Sequence, residues 1–213
     1  MNWKLFAIGH FGLGYLLGKA SSKITHTPLN LALLFTVSLI PDLDLLLPNF
    51  LPHRGPTHSI FFSVLVFLPF FVKYKKEAFP YFVALLSHSL IGDIYGTYVG
   101  VNLFWPFSNN WLLIFNLSNV SNLSIGLELS LFAISTLIMT LNHDLKKILT
   151  YNKSKIYWLI PLGGVLGPLL IGQINSDYNI PFLLVFPSLF YVAIFTIAII
   201  KPYNSIKNRL HEK

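Results

Sequence analysis

Residues 181–200 read PFLLVFPSLFYVAIFTIAII, an apolar run with no polar face at any helical period. The run at 59–72, SIFFSVLVFLPFFV, is nearly as uniform. A helix that is hydrophobic all round has no solvent face to offer and belongs in lipid or a deep core. Charged residues make up 11% of the chain, against ~25% in ordinary soluble domains. The expected fold class is therefore all-α, a polytopic membrane helix bundle forming one integral membrane domain over 1–213.

Seven apolar segments are expected to be transmembrane or partly spanning helices: about 5–18, 29–47, 59–72, 78–92, 123–141, 156–174 and 181–200. The first, third and fourth fall short of the ~20 residues of a full span. The lysines gather in alternate connections: Lys19 and Lys23; Lys73, Lys75 and Lys76; Lys146, Lys147, Lys153 and Lys155; and the basic tail 201–213. By the positive-inside rule these face the cytoplasm. The connections 48–58, 93–122 and 175–180 then face outward, as does the N-terminus. Three N-x-S sequons in NLSNVSNLS (116–124) agree with an outer position for that loop. A cleaved signal peptide over 1–22 competes for the first segment, but His10 within it and the lack of an A-x-A site argue against cleavage.

The net charge of +7 is accounted for by this topology, and no direct nucleic-acid partner is expected. The chain has no cysteine, which excludes disulfides, thiolate metal sites and a cysteine nucleophile. Any metal must be held by imidazole nitrogen and carboxylate oxygen.

Against this apolar background the ionisable residues stand out. His10 lies in the first segment, Asp42 and Asp44 late in the second (LIPDLDLLL), and His53, Arg54 and His58 in LPHRGPTHS. His88 and Asp93 close the fourth, and Glu128 is early in the fifth. Such groups at membrane depth cost several kcal/mol unless paired, solvated or metal-bound. The lysine topology, read independently, sends all of them to one end of the bundle. If the chain is extended after Pro41, Asp42 and Asp44 share a face, and their repulsion calls for a cation or proton between them. In a continuing helix they point ~200° apart.

In order, GHFGLG (9–14), IPDLD (40–44), HRGPTHS (53–59), SHSLIGD (87–93) and TYVGVNLFWPF (97–107) resemble the signature blocks of the YdjM family. The resemblance covers the motif-bearing half, 1–122. Residues 123–200 match only as generic spans. It implies a membrane-bound metal-dependent hydrolase, and one bacterial branch of the family is described as LexA-binding. It also implies roles for His10, Asp42, Asp44, His53, Arg54, His58, His88 and Asp93, with Thr57 and Thr97 as supporting groups. The family's fourth block usually reads H-x-x-x-D. Here His88 and Asp93 are five apart, ~140° round a regular helix. Asp93 joins the site only if Gly92 ends the helix and swings it back.

The expected function is a membrane-bound hydrolase in which metal-activated water attacks an ester or phosphoester, lipid-borne, at the outer interface. His10, Asp42, Asp44, His58, His88 and Asp93 are the expected metal ligands, for zinc ahead of manganese or magnesium. His53, Arg54 and Thr57 are the expected catalytic set: His53 as general acid and Arg54 as an anion fork at the rim. Membrane lipid and a lipid-like phosphoester are the expected partners. Two alternatives stand beside this: a transporter or proton relay using the same His and Asp groups, and a non-catalytic membrane regulator contacting partners through 141–155 and the tail. Ordinary positive-inside charge explains those two basic segments equally well, so Asp144 is not expected in a site.

Overall fold

A computed structural model describes residues 6–47, 50–94, 100–114, 121–150, 155–171 and 180–200. Among them the secondary structure is helical, apart from one isolated antiparallel bridge between Val101 and Leu112. The helices are α1 (Ala7–Thr25), α2 (Leu31–Val37), α3 (Ile60–Tyr74), α4 (Phe79–Ser87), α5 (Asn122–Leu141), α6 (Asp144–Thr150), α7 (Leu159–Ile171) and α8 (Phe182–Ile200). Short 3₁₀ turns at Pro41–Leu46, Pro56–His58, Lys75–Ala78 and Lys155–Trp158 and a π turn at His88–Gly92 join or extend them.

Each of the seven apolar segments read from the sequence contains a helix in its described residues. Among the described residues, only α5 (20 residues) and α8 (19 residues) are both long and apolar enough to cross a membrane unaided. The other segments are broken for local reasons. The second leaves α-geometry before Pro41, which lacks the N–H for a further helical hydrogen bond. Ile40 itself keeps helical angles, contrary to the usual preference before proline, and α2 has only seven residues. The fourth leaves α-geometry at His88. Helix α1 has 19 residues but carries His10, Lys19, Lys23 and two serines.

Helix α1 is the centre of the bundle, lying between α4 and α5. Its glycines make that possible. A Cβ on Gly12 would come within 2.9 Å of the Leu131 carbonyl oxygen on α5, and one on Gly18 within 2.5 Å of Leu34 on α2. Small residues at such crossings let backbones approach closely, which matters in lipid, where helix association depends on packing contacts. Below this layer Phe11, Phe35, Tyr191 and Phe195 form an aromatic core with ring centroids 5.2–6.1 Å apart. Serine and asparagine side chains open three helices: Asn30 caps α2, Ser59 caps α3 and Ser121 caps α5, each accepting a backbone N–H.

The outward faces are apolar as well. On α3, Phe61, Leu65, Leu68 and Val72 form an exposed stripe, and on α5 Leu127, Ile134, Leu137 and Leu141 do the same. Apolar stripes of this extent are not left facing water. The lysines on α1 lie toward its C-terminal end, which His26 caps, away from His10 in its first turns. Along α1 alone, His10 and Lys19 are nine residues, about 14 Å, apart.

The short helix α6 has no counterpart among the expected segments. Its Asp144 is buried, contrary to a solvated loop, because it accepts hydrogen bonds from Tyr15 Oη at 2.9 Å and Lys147 Nζ at 2.8 Å, and another from Lys19. Thr97, Lys153 and the tail 201–213 lie outside the described residues, as do most of the sequons.

Candidate metal centre

The site is built where four segments meet: the first half of α1, the 3₁₀ turn after α2, the loop and 3₁₀ turn before α3, and the end of α4. Asp42, His58, His88 and Asp93 each direct one donor atom into a group in which all lie within 4.8 Å of one another. His58 Nε2 and His88 Nε2 are each 3.1 Å from Asp93 Oδ2, and 3.5 and 3.4 Å from Asp42 Oδ1. A tetrahedral ion with bonds of 2.0–2.1 Å has ligand–ligand edges of about 3.4 Å. Two imidazoles and two carboxylates at this spacing therefore suit a divalent ion. His58 Nε2, His88 Nε2 and Asp93 Oδ2 are all buried without a hydrogen-bond partner. Buried polar atoms are nearly always paired, so three orphans aimed at one point need a ligand to explain them.

The opposite ring nitrogens are committed elsewhere, which fixes the tautomers. His88 Nδ1–H donates to the Ser38 carbonyl at 2.7 Å. The Thr57 hydroxyl donates to Asp44 Oδ2 at 2.9 Å, so its oxygen is left to accept from His58 Nδ1–H at 3.1 Å. In the neutral rings, the form that binds metal, both Nε2 atoms then present lone pairs. Orientation of metal-binding imidazoles by a carbonyl or carboxylate is the usual arrangement around such ions.

The two aspartates of PDLD are not on one face. The segment is a 3₁₀ turn, not an extended strand, and the carboxylates grip the His58 ring from its two nitrogens. Asp44 is the inner one. It accepts from His53 Nδ1 at 3.0 Å, the Arg54 backbone N–H at 3.1 Å and Thr57, and is fully satisfied without an ion. A second grouping, Asp44 with His53 and His58, shares His58 with the first. Asp42 is the more open, with its side chain 21% exposed against 3% or less for the other three donors.

Asp93 reaches the cluster through backbone geometry that a regular helix does not provide. Residues 88–92 form a π turn, closed by Asp93 N–H donating to the His88 carbonyl at 2.9 Å. An i→i+5 turn returns residue i+5 over residue i. The five-residue spacing thereby places His88 and Asp93 together, and Gly92 lies inside the turn.

His10 supplies no donor to the group of four. Its ring stacks on His88, with centroids 3.7 Å apart and planes 9° apart, and its Nδ1 is buried without a partner. Arg54 departs from the expected rim position. It is 3% exposed, its φ is +65°, and its Nε lies 3.4 Å from Asp93 Oδ1. Thr57 is likewise buried against Asp44 and His58. Of the cluster's histidines only His53 is incompletely buried. Glu128 is fully buried but stands apart, accepting the Phe6 N–H at the start of α1, where it serves as a helix cap from a neighbouring helix.

Two supports were not assigned from the sequence. The Ser38 carbonyl, which holds His88, is backbone and leaves no side-chain signature. Asn102 and Leu103 hold the 54–60 segment: Asn102 N–H donates to the Arg54 carbonyl, and Ile60 N–H to the Leu103 carbonyl, both at 3.0 Å.

A family model described as YdjM inner membrane protein matches residues 6–209. The chain belongs to the YdjM family. It is accordingly an inner-membrane protein, and the match extends well beyond the motif-bearing half into α5–α8. No curated protein and no solved structure matches it.

Proposed function

We propose that this YdjM-family chain is a membrane-embedded metal-dependent hydrolase, acting on an ester or phosphoester carried by a lipid-like substrate at the outer membrane interface. One observation carries the reading: four donors from three segments converge with three of their atoms buried and unpartnered. Asp42, His58, His88 and Asp93 would hold the ion, with zinc first and manganese or magnesium next on the mixed imidazole and carboxylate donor set. When bound, such an ion polarises the substrate oxygen and makes water a competent nucleophile near neutral pH.

The chain's own groups have separable tasks. Asp44 and Ser38 hold the two imidazoles in the binding tautomer. Arg54, buried beside Asp93, offsets the carboxylates' charge and fixes the position of that side chain. His53, partly exposed and oriented by Asp44, is placed to hand a proton to a leaving group. Asp42 marks the open side from which substrate approaches. The seven-span arrangement, with the lysines and the C-terminus cytoplasmic and the site outside, belongs to the same proposal and rests on the lysine distribution.

The test is hydrolysis of micellar aryl esters and phosphodiesters by the detergent-purified chain, with and without added zinc or manganese. His53→Ala is expected to lower the rate by about 10²–10⁴ while leaving bound metal unchanged. Absence of turnover with every metal and ester class, despite stoichiometric metal, would remove the hydrolase reading and leave a metal-binding membrane protein.

A further inference from the structure

From the lysine-rich end of the bundle toward the metal centre, α2, α3 and α4 line a half-open cavity of about 800 Å³. Its deep walls are apolar: Val37, Ile40, Val66, Phe67 and Leu85. Its polar lining residues, among them Asn30, Glu77, Tyr81 and Lys147, belong to the basic end. The Tyr81 hydroxyl accepts from Asn30 N–H at 2.7 Å, which leaves its own proton to donate. The volume is within the range of pockets that bury a small amphiphile.

Two charged residues line the cavity itself, Glu77 and Lys147, the latter also paired with Asp144, and further lysines lie on the adjoining segments. Lys73, Lys75 and Lys76 close α3, Lys146 and Lys147 lie on α6, and Lys155 precedes α7. Among the described residues the exposed acid nearby is Glu77, because Asp144 is buried in its own ion pairs. Basic clusters beside apolar helices attract anionic headgroups at the membrane surface. A void that is apolar inside, polar at one end and lined there by Lys147, with further lysines on the adjoining segments, has the chemistry of a phospholipid turned with its headgroup toward the lysines.

We propose that this cavity binds one anionic phospholipid of the adjoining leaflet, an acyl chain seated between α2, α3 and α4 and the phosphate held near Lys147 and the α3 lysines. The chain would end under the metal centre. Ile40 is two residues before Asp42, and Leu85 is three before His88. The lipid is not the hydrolase substrate, since no donor of the metal cluster lines the cavity. Its place in the fold is a wedge that sets the spacing of the three segments bearing Asp42, His58 and His88.

The test is native mass spectrometry of the full chain in detergent, after exposure to phosphatidylglycerol or phosphatidylcholine with identical acyl chains. One retained phosphatidylglycerol and at least a tenfold preference over phosphatidylcholine are expected. Val37→Phe and Val66→Phe fill the void from different helices and should each abolish retention. Lys75→Glu with Lys76→Glu leaves the void intact and should erase the preference for the anionic lipid. Equal retention of both lipids by the wild type, or retention unchanged in the filled variants, overturns the proposal. If the filled variants do not fold, an unchanged preference in the lysine variant overturns it. Lipid retention is read without any measurement of hydrolysis, so this result and that of the hydrolase test stand apart.

Discussion

Asp144 and Asp93 are both buried carboxylates in an apolar helix bundle, at opposite ends, and they are treated differently. Asp144 is surrounded by donors: Tyr15, Lys19 and Lys147 between them engage both of its oxygens. Asp93 has Arg54 near one oxygen, while the other faces two imidazole nitrogens whose opposite ring nitrogens are committed elsewhere. The first arrangement is electrostatically closed and ties α1 to α6. The second is short of a positive charge at its centre. Burial alone does not distinguish a latch from a ligand; the sign and supply of the neighbours do.

The comparison can be broken first by removing metal. A ligand that binds only the folded state stabilises it by about 4 kcal/mol at a thousand times its dissociation constant. A chelator should therefore lower the melting temperature of wild-type protein markedly and that of Asp42→Ala very little. Asp144→Ala, its metal centre intact, should respond to chelator as the wild type does.

Breaking the latch comes next. Asp144→Ala leaves Lys19 and Lys147 without their carboxylate and should cost on the order of 3 kcal/mol, the scale for opening a buried ion pair. Chemical unfolding in detergent measures it, with bound metal unchanged.

Acid should act on the same pair. Burial alone would push the Asp144 carboxyl up, but hydrogen bonds from Lys147, Lys19 and Tyr15 outweigh it and hold it below the ordinary value of 3.8. A depressed carboxylate contributes stability that is fully present above its unfolded pKa and is lost as pH falls through the folded one. The stability difference between wild type and Asp144→Asn should thus be constant from neutral pH to about 5 and shrink below about 4. The smallest effect belongs to Ser59→Ala, which removes the α3 cap and should cost about 1 kcal/mol without changing either end's chemistry.

Much of this was legible in the sequence because it depends on local composition. Each expected apolar segment contains a helix in its described residues, and uniform hydrophobicity is a signal that needs no tertiary information. The convergence of His58, His88, Asp42 and Asp93 was legible through the lysines, which assign helix ends. What was not legible depends on backbone geometry or distant contacts. The π turn turns an awkward His88–Asp93 spacing into a shared face. The left-handed Arg54 backbone and its Asp93 neighbour bury a charge expected at the rim. Asp144 looked like part of a solvated basic loop, since nothing near it in sequence reveals Tyr15 and Lys19, more than a hundred residues away.

The central claim is that the unpartnered donors form a metal site. Metal content per chain of protein purified in detergent without added chelator measures it directly, by elemental mass spectrometry on wild type, Asp42→Ala, His58→Ala and Asp144→Ala. Stoichiometric divalent metal in the wild type and Asp144→Ala, and its loss from the other two, is the predicted result. A folded wild type that takes up no divalent metal, or equal metal in all four proteins, would contradict it.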